Sequence, residues 1–238
     1  MSGHSKWHSI RHAKGKADAK RGKVFSKLSK AISVCAREGG PDPVMNFSLR
    51  LAIDKAKAAN MPKDNIERAI SRGQGGGEGQ VLQTAVYEGM GPGGAAILVE
   101  AVTDNLNRTI ANVKIIFNKG GGNMDAKVMW MFDRKGVVRA RGVDELESRD
   151  TFELALIDAG ADNIEFHNNE LFVTSAVKHL SSVILAVNNS GLDVQDSGIE
   201  YIAKDAAKLS GDDEEKLENF IEALEDEEDV SAVYTNAA

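Results

Sequence analysis

The feature that most narrows the possible folds is a change of hydrophobic period at a glycine-rich break. Up to residue 73 the apolar residues recur at helical spacing. Beyond residue 80, short strand-like runs alternate with further helical stretches. Gln74-Gly-Gly-Gly-Glu-Gly-Gln80 separates the two regimes. A segment so rich in glycine reads as a flexible connector, so a helical domain over 1–77 is expected, followed by mixed α/β structure. The segment is not a phosphate loop, because no Lys-Ser/Thr follows it and no strand precedes it.

Three helices are expected in the first part. Residues 18–38 place Val24, Leu28, Ala31, Ile32 and Cys35 on one side, with Gly39 and Gly40 as the stop. Residues 44–59 follow Pro41 and Pro43, are expected to bury Phe47, Leu51 and Ala58, and are broken by Asn60-Met61-Pro62. Residues 63–72 turn Ile66, Ala69 and Ile70 inward. Connections this short imply a bundle.

Past the linker, strands are expected over 81–88 and 95–102 around a Gly-Pro-Gly-Gly turn, then a helix over 105–118 and a strand over 127–132. Residues 137–197 read strand, helix, strand, strand, helix, strand, which is the ferredoxin-like order. A strand over 200–203, a helix over 212–226 and a strand over 230–234 follow. The economical topology is an α+β fold with an insertion. Residues 78–134 and 198–238 form one discontinuous ferredoxin-like domain, and 135–197 form a second inserted in it. This requires strand 230–234 to pair with a strand from 81–132.

Net charge is −7, yet residues 1–75 carry 16 Lys/Arg against 6 Asp/Glu, and the remainder 13 against 30. Such a split points to a basic binding module carried on acidic domains. On the first helix Lys20, Lys23, Lys27, Lys30 and Arg37 form a stripe opposite the apolar side. These positions are expected to face solvent and to contact phosphates. Lys6, Arg11, Lys14 and Lys16 extend the charge toward the N-terminus, into a stretch read as a mobile arm, where Trp7 offers an indole for base stacking. The competing interpretation is an ordinary solvated helix face, and for Trp7 packing onto the bundle. Lysine predominates, and a point charge without arginine's fork favours backbone contact over base reading.

Residues 211–229 hold eleven acids and one lysine on an amphipathic helix that buries Leu217, Phe220, Ile221 and Leu224. Its acids form a solvated face, a docking surface for basic proteins, or an internal mask for the lysine stripe. Gly91-Pro92-Gly93-Gly94 is most simply a turn, and the loop of Gly89, Met90, Gly91, Pro92, Gly93 and Gly94 is a second candidate binding element.

Other function classes find little support. No apolar run approaches the ~20 residues of a membrane span. The basic start lacks the apolar core of a secretory signal, and one cysteine, Cys35, gives no disulfide framework. A cytoplasmic protein without membrane contact is expected. His4, His8 and His12 lack completing ligands, so no metal and no cofactor are expected. No nucleophile elbow or acid–base pair stands out, and Cys35 lies on an apolar helix side. The chain reads as non-enzymatic.

Several motifs carry a family likeness. Gly3-His-Ser-Lys-Trp7, Asp18-Ala-Lys-Arg-Gly-Lys-Val-Phe25, Ala52-Ile-Asp-Lys-Ala56 and Asn60-Met-Pro-Lys-Asp-Asn-Ile-Glu-Arg-Ala-Ile70 resemble the YebC/PmpR family of bacterial proteins. So do Tyr87-Glu-Gly-Met-Gly-Pro-Gly-Gly94, Thr103-Asp-Asn105 with Asn107-Arg-Thr109, Trp130-Met-Phe-Asp-Arg-Lys-Gly136 and Val233-Tyr-Thr-Asn236. The resemblance implies three domains, one α/β domain inserted in another. It implies a DNA-binding transcriptional regulator, or, by analogy with a mitochondrial translational activator and with bacterial members linked to stalled ribosomes, a factor bound to ribosomal RNA. The family's charged residues carry over to Lys6, Lys14, Lys20, Arg21, Lys23, Lys27 and Lys30, and its signature loop to 89–94. The chain departs from the family at Met90, where an aromatic is usual, at Met124-Asp-Ala-Lys127, and over 9–17.

Overall fold

A computed structural model describes residues 19–75 and 81–237, with Ala19 and Lys20 as backbone only. The chain forms two compact units, one of Met1–Phe132 with Ala203–Ala238 and one of Asp133–Ile202. It is an α+β protein with an N-terminal helical region followed by antiparallel sheets.

The first unit opens with α1 (Ala19–Gly39), α2 (Phe47–Ala58) and α3 (Lys63–Gly73). Both shorter helices pack on α1. Their common core is Ile32, Ala36, Leu49, Ile53, Ala56, Met61, Ile66 and Ala69. The face α2 buries is therefore Leu49, Ile53 and Ala56, not the expected Phe47, Leu51 and Ala58. Both sets have helical spacing, and Asn46 decides between them. Its side-chain oxygen accepts from Leu49 N at 3.0 Å, while its amide donates to Cys35 O at 2.7 Å and Gly40 O at 2.8 Å. This N-cap starts the helix three residues later than expected and ties it to the end of α1. On the other flank, small residues let α3 approach α1 closely. A Cβ at Gly73 would lie 2.3 Å from Ser33 O.

The unit continues with β1 (Gln83–Met90), β2 (Ala96–Thr103) and α4 (Leu106–Lys119). The second unit supplies β3 (Phe132–Arg141), α5 (Arg149–Asp158), β4 (Ala161–His167), β5 (Glu170–Ser175), α6 (Leu180–Asn189) and β6 (Asp193–Ala203). The chain then returns to the first unit with α7 (Gly211–Glu225) and β7 (Val230–Thr235). The first sheet has the order β1-β2-β7, and β7 pairs antiparallel with β2 from Ile97↔Thr235 to Ala101↔Val230. The pairing that the insertion topology requires is thus present. Val113 and Phe117 of α4 and Leu217, Phe220 and Leu224 of α7 cover one face of this sheet, against Ile97, Val99, Val230 and Val233. Helix α1 lies against β2 and β7 as well. Leu98 and Val102 on the alternate face of β2 are buried. A central strand covered on both sides explains why 95–102 is almost continuously apolar.

The strand expected over 127–132 is instead a single 3₁₀ turn, Met129–Met131, with the strand beginning at Phe132. The Glu88 carboxylate accepts from the backbone N–H of Val128 and of Met129, each at 2.8 Å. Those donors are satisfied by a side chain instead of a ladder. The two strands expected over 192–197 and 200–203 are one strand, β6. In the second unit the sheet order β4-β5-β3-β6 with a βαββαβ succession is ferredoxin-like. Arg139 on β3 clasps Glu200 on β6 in a two-pronged pair of 2.8 and 2.9 Å and lies over the Phe172 ring.

Candidate nucleic-acid interface

Of the predicted contact residues, Lys6, Trp7, Arg11, Lys14 and Lys16 lie outside the described residues, as do His4, His8 and His12, and the side chain of Lys20 is not described. Arg21 is exposed, its guanidinium 5.7 Å from the centre of the Phe25 ring. The remaining stripe residues do follow one side of α1; Lys23 and Arg37 are exposed as expected, whereas Lys27 and Lys30 are partly buried. Lys23 Nζ donates to Asp226 O at 3.2 Å and Lys27 Nζ to Glu225 O. Lys30 Nζ donates to Glu228 O at 3.3 Å and to Asp229 Oδ1 at 2.8 Å, and its side chain is only 15% exposed. Arg37 donates to Leu82 O.

The physical cause is the end of α7. A helix leaves its last carbonyls unpaired at the negative end of its dipole, and basic side chains are the usual partners. The last turn of α7 has no basic residue of its own. Lys23 and Lys27 of α1 supply donors to the helix end, and Lys30 bonds the turn that follows it. Burial pulls the Lys27 ammonium down to about 8, against the opposing pull of Glu225 and Asp226.

Lys30 ends on a buried hub. Asp229, 3% exposed, also takes Arg108 Nη2 at 2.8 Å, with Thr109 Oγ1 at 2.8 Å and Thr103 Oγ1 at 3.2 Å from the same Oδ2. Burial alone would raise this carboxyl; the bonds from Lys30, Arg108 and Thr109 outweigh it and hold it at about 2. Thr103, Arg108 and Thr109 are the motif residues the sequence singled out without a role. Asp229, unnoticed among its acidic neighbours, is what joins them.

Loop 89–94 is held from within. Met90 and Asn123 exchange backbone hydrogen bonds at 2.8 and 2.7 Å. Gly89 has no room for a side chain, since a Cβ would meet Asn123 O at 2.5 Å and Phe117 Cε1 at 2.6 Å. Gly93 turns with φ +66°, and a Cβ there would lie 2.9 Å from Asp213 Cβ, in the acidic first turn of α7. Sequence reasoning passed over the exposed cations of α2 and α3. Arg50 and Lys57 flank a shallow groove with Pro43, Val44, Ile53 and Asp54, and Arg68 and Arg72 are exposed on α3. Val44 and Met45 at the rim of α2 are apolar and exposed.

Among the described residues no group of three or more His, Cys, Asp or Glu is arranged to hold a metal ion. Burial, reinforced by Glu38 and Glu100, pushes the Cys35 thiol up to about 11, so it stays protonated and unreactive at neutral pH. No described helix is long and apolar enough to cross a membrane.

A helical bundle built onto a three-stranded sheet, with a ferredoxin-like unit inserted in the chain between its strands, defines the class of α+β protein to which the chain belongs. The chain belongs to the TACO1/YebC family: the family's N-terminal domain matches residues 5–76, and its second and third domains match 82–237. A "Probable transcriptional regulatory protein" of Desulforamulus reducens is 45% identical, over 99% of this chain and 98% of its own. One of the same description from Trichlorobacter lovleyi is 48% identical, over 99% and 95%. The crystal structure of a conserved hypothetical protein from Aquifex aeolicus superposes with a TM-score of 0.84 at 36% identity, over 96% of this chain and 95% of that one.

Proposed function

We propose that the protein is a non-enzymatic, cytoplasmic regulator of gene expression that binds nucleic acid through its basic N-terminal region and acts on DNA; its relatives carry the description "Probable transcriptional regulatory protein". The observation that carries this is the charge segregation: 16 Lys/Arg against 6 Asp/Glu in residues 1–75 of a chain that is otherwise acidic. A second reading, attachment to ribosomal RNA, draws support from the character of the cations. Lysines in a row recognise backbone and shape, and α1, the helix that carries the row, has no Asn or Gln to read base edges.

The test is a competition titration of the intact protein between random duplex DNA and large ribosomal subunits at about 0.15 M salt. Preference for duplex, with one promoter fragment outcompeting the rest, supports the transcriptional reading; preference for ribosomes transfers the role to translation. If about five phosphates are neutralised, log K on DNA falls with log salt at a slope of about −4 to −5. Arg21→Glu with Lys23→Glu is expected to flatten that slope, since both side chains are exposed. A protein that binds neither target overturns the proposal.

A further inference from the structure

Resting on the nucleic-acid reading, we infer that the α1 lysine stripe is a polyanion site whose resident occupant is this chain's own acidic turn 225–229, and that nucleic acid binds by displacing that turn. The turn resembles a short stretch of phosphate backbone in what it offers. Its acceptors are Glu225 O, Asp226 O, Glu228 O and the Asp229 carboxylate, one or two to each lysine. All five residues of the segment are acidic. Three of these acceptors are main-chain carbonyls and one is a carboxylate, set among acidic side chains; a phosphate strand presents anionic oxygens to the same row of ammonium groups and can take their place.

The two ends of the contact differ, and the difference says what moves. Lys30 is partly buried and Asp229 buried, 15% and 3% exposed, and Asp229 is held by Arg108 and Thr109 as well. Lys23 is exposed, Lys27 is half-buried, and both donate to main-chain carbonyls. Exchange therefore opens from the Lys23 end and stops at Lys30, which acts as the hinge. Residues 225–228 swing away while Asp229 stays. Glu227, which accepts from Asn112 Nδ2 at 3.0 Å, must release that bond.

The test uses the full chain and a random-sequence duplex of about 20 base pairs. Backbone hydrogen exchange over 225–228 is expected to speed up several-fold at saturating duplex, with the interior of α1 unchanged. The triple variant Glu225→Gln, Asp226→Asn, Glu228→Gln keeps the carbonyls but weakens the mimic, and is expected to bind duplex about tenfold more tightly. The control variant Asp212→Asn, Asp213→Asn, Glu214→Gln removes the same charge at the far end of α7 and is expected to gain much less. Duplex binding that leaves 225–228 unchanged or slows its exchange overturns the displacement, as does an equal gain from the control, while the nucleic-acid reading stands. Failure of the native chain to bind either duplex or ribosomal subunits sinks both.

Discussion

Asp229 and Lys27 lie a few residues' reach apart across one contact, yet their charges do opposite things for the fold. Asp229 is held at about 2 against an ordinary 3.8. Its stabilisation is fully present above about pH 4 and is lost as the pH falls toward 2. Thermal melts of the native protein should record a loss across that window, and Asp229→Asn should lack this component. The variant leaves Lys30 and Arg108 short of a buried counter-charge, so a cost of about 3 kcal/mol is expected in urea unfolding at pH 7. Lys27 runs the other way. Burial lowers it from 10.5 to about 8, so the unfolded chain binds the proton more tightly and the site gains stability as pH rises from 8 toward 10.5. Lys27→Met removes that desolvation penalty, and its unfolding free energy at pH 7 should stay within about 1 kcal/mol of native.

At the scale of single elements, glycines that look alike in the sequence divide by what surrounds them. Gly22 sits in α1, and a Cβ added there would meet nothing within 4 Å; Gly22→Ala should stabilise by up to about 1 kcal/mol. Gly89 faces backbone and the Phe117 ring at 2.5–2.6 Å, and Gly89→Ala should cost about 2 kcal/mol or more. Both are read from chemical-denaturation midpoints. Asn46→Ala removes a cap and two further bonds, with about 2 kcal/mol expected by the same measurement. The helices and the strand order of the inserted ferredoxin-like unit were legible because each rests on local periodicity; the partner of β7, which the topology required only to be some strand of 81–132, is β2. What was not legible depended on distant groups. The run 127–132 has strand composition, and only Glu88, some forty residues earlier, makes it a turn. The lysine stripe was legible as a stripe and masking by the 211–229 acids stood among the alternatives, but local pattern could not choose between them, because the stripe's partners lie about 200 residues away.

For the molecule as a whole, β2 is the strand on which the first unit closes, with α4 and α7 against one face and α1 near the other. The helical region is therefore no freestanding appendage of the sheet, and the first unit is expected to unfold in one transition when followed by far-ultraviolet dichroism and by amide exchange in α1. The lysines of α1 meet acceptors separated from them by 198 to 203 positions. A polypeptide is made from N- to C-terminus, so α1 is synthesised about 200 residues before its counterpart turn. Until residues 225–229 have been made, the nascent chain carries that row of lysines without the acceptors that meet it in the folded protein.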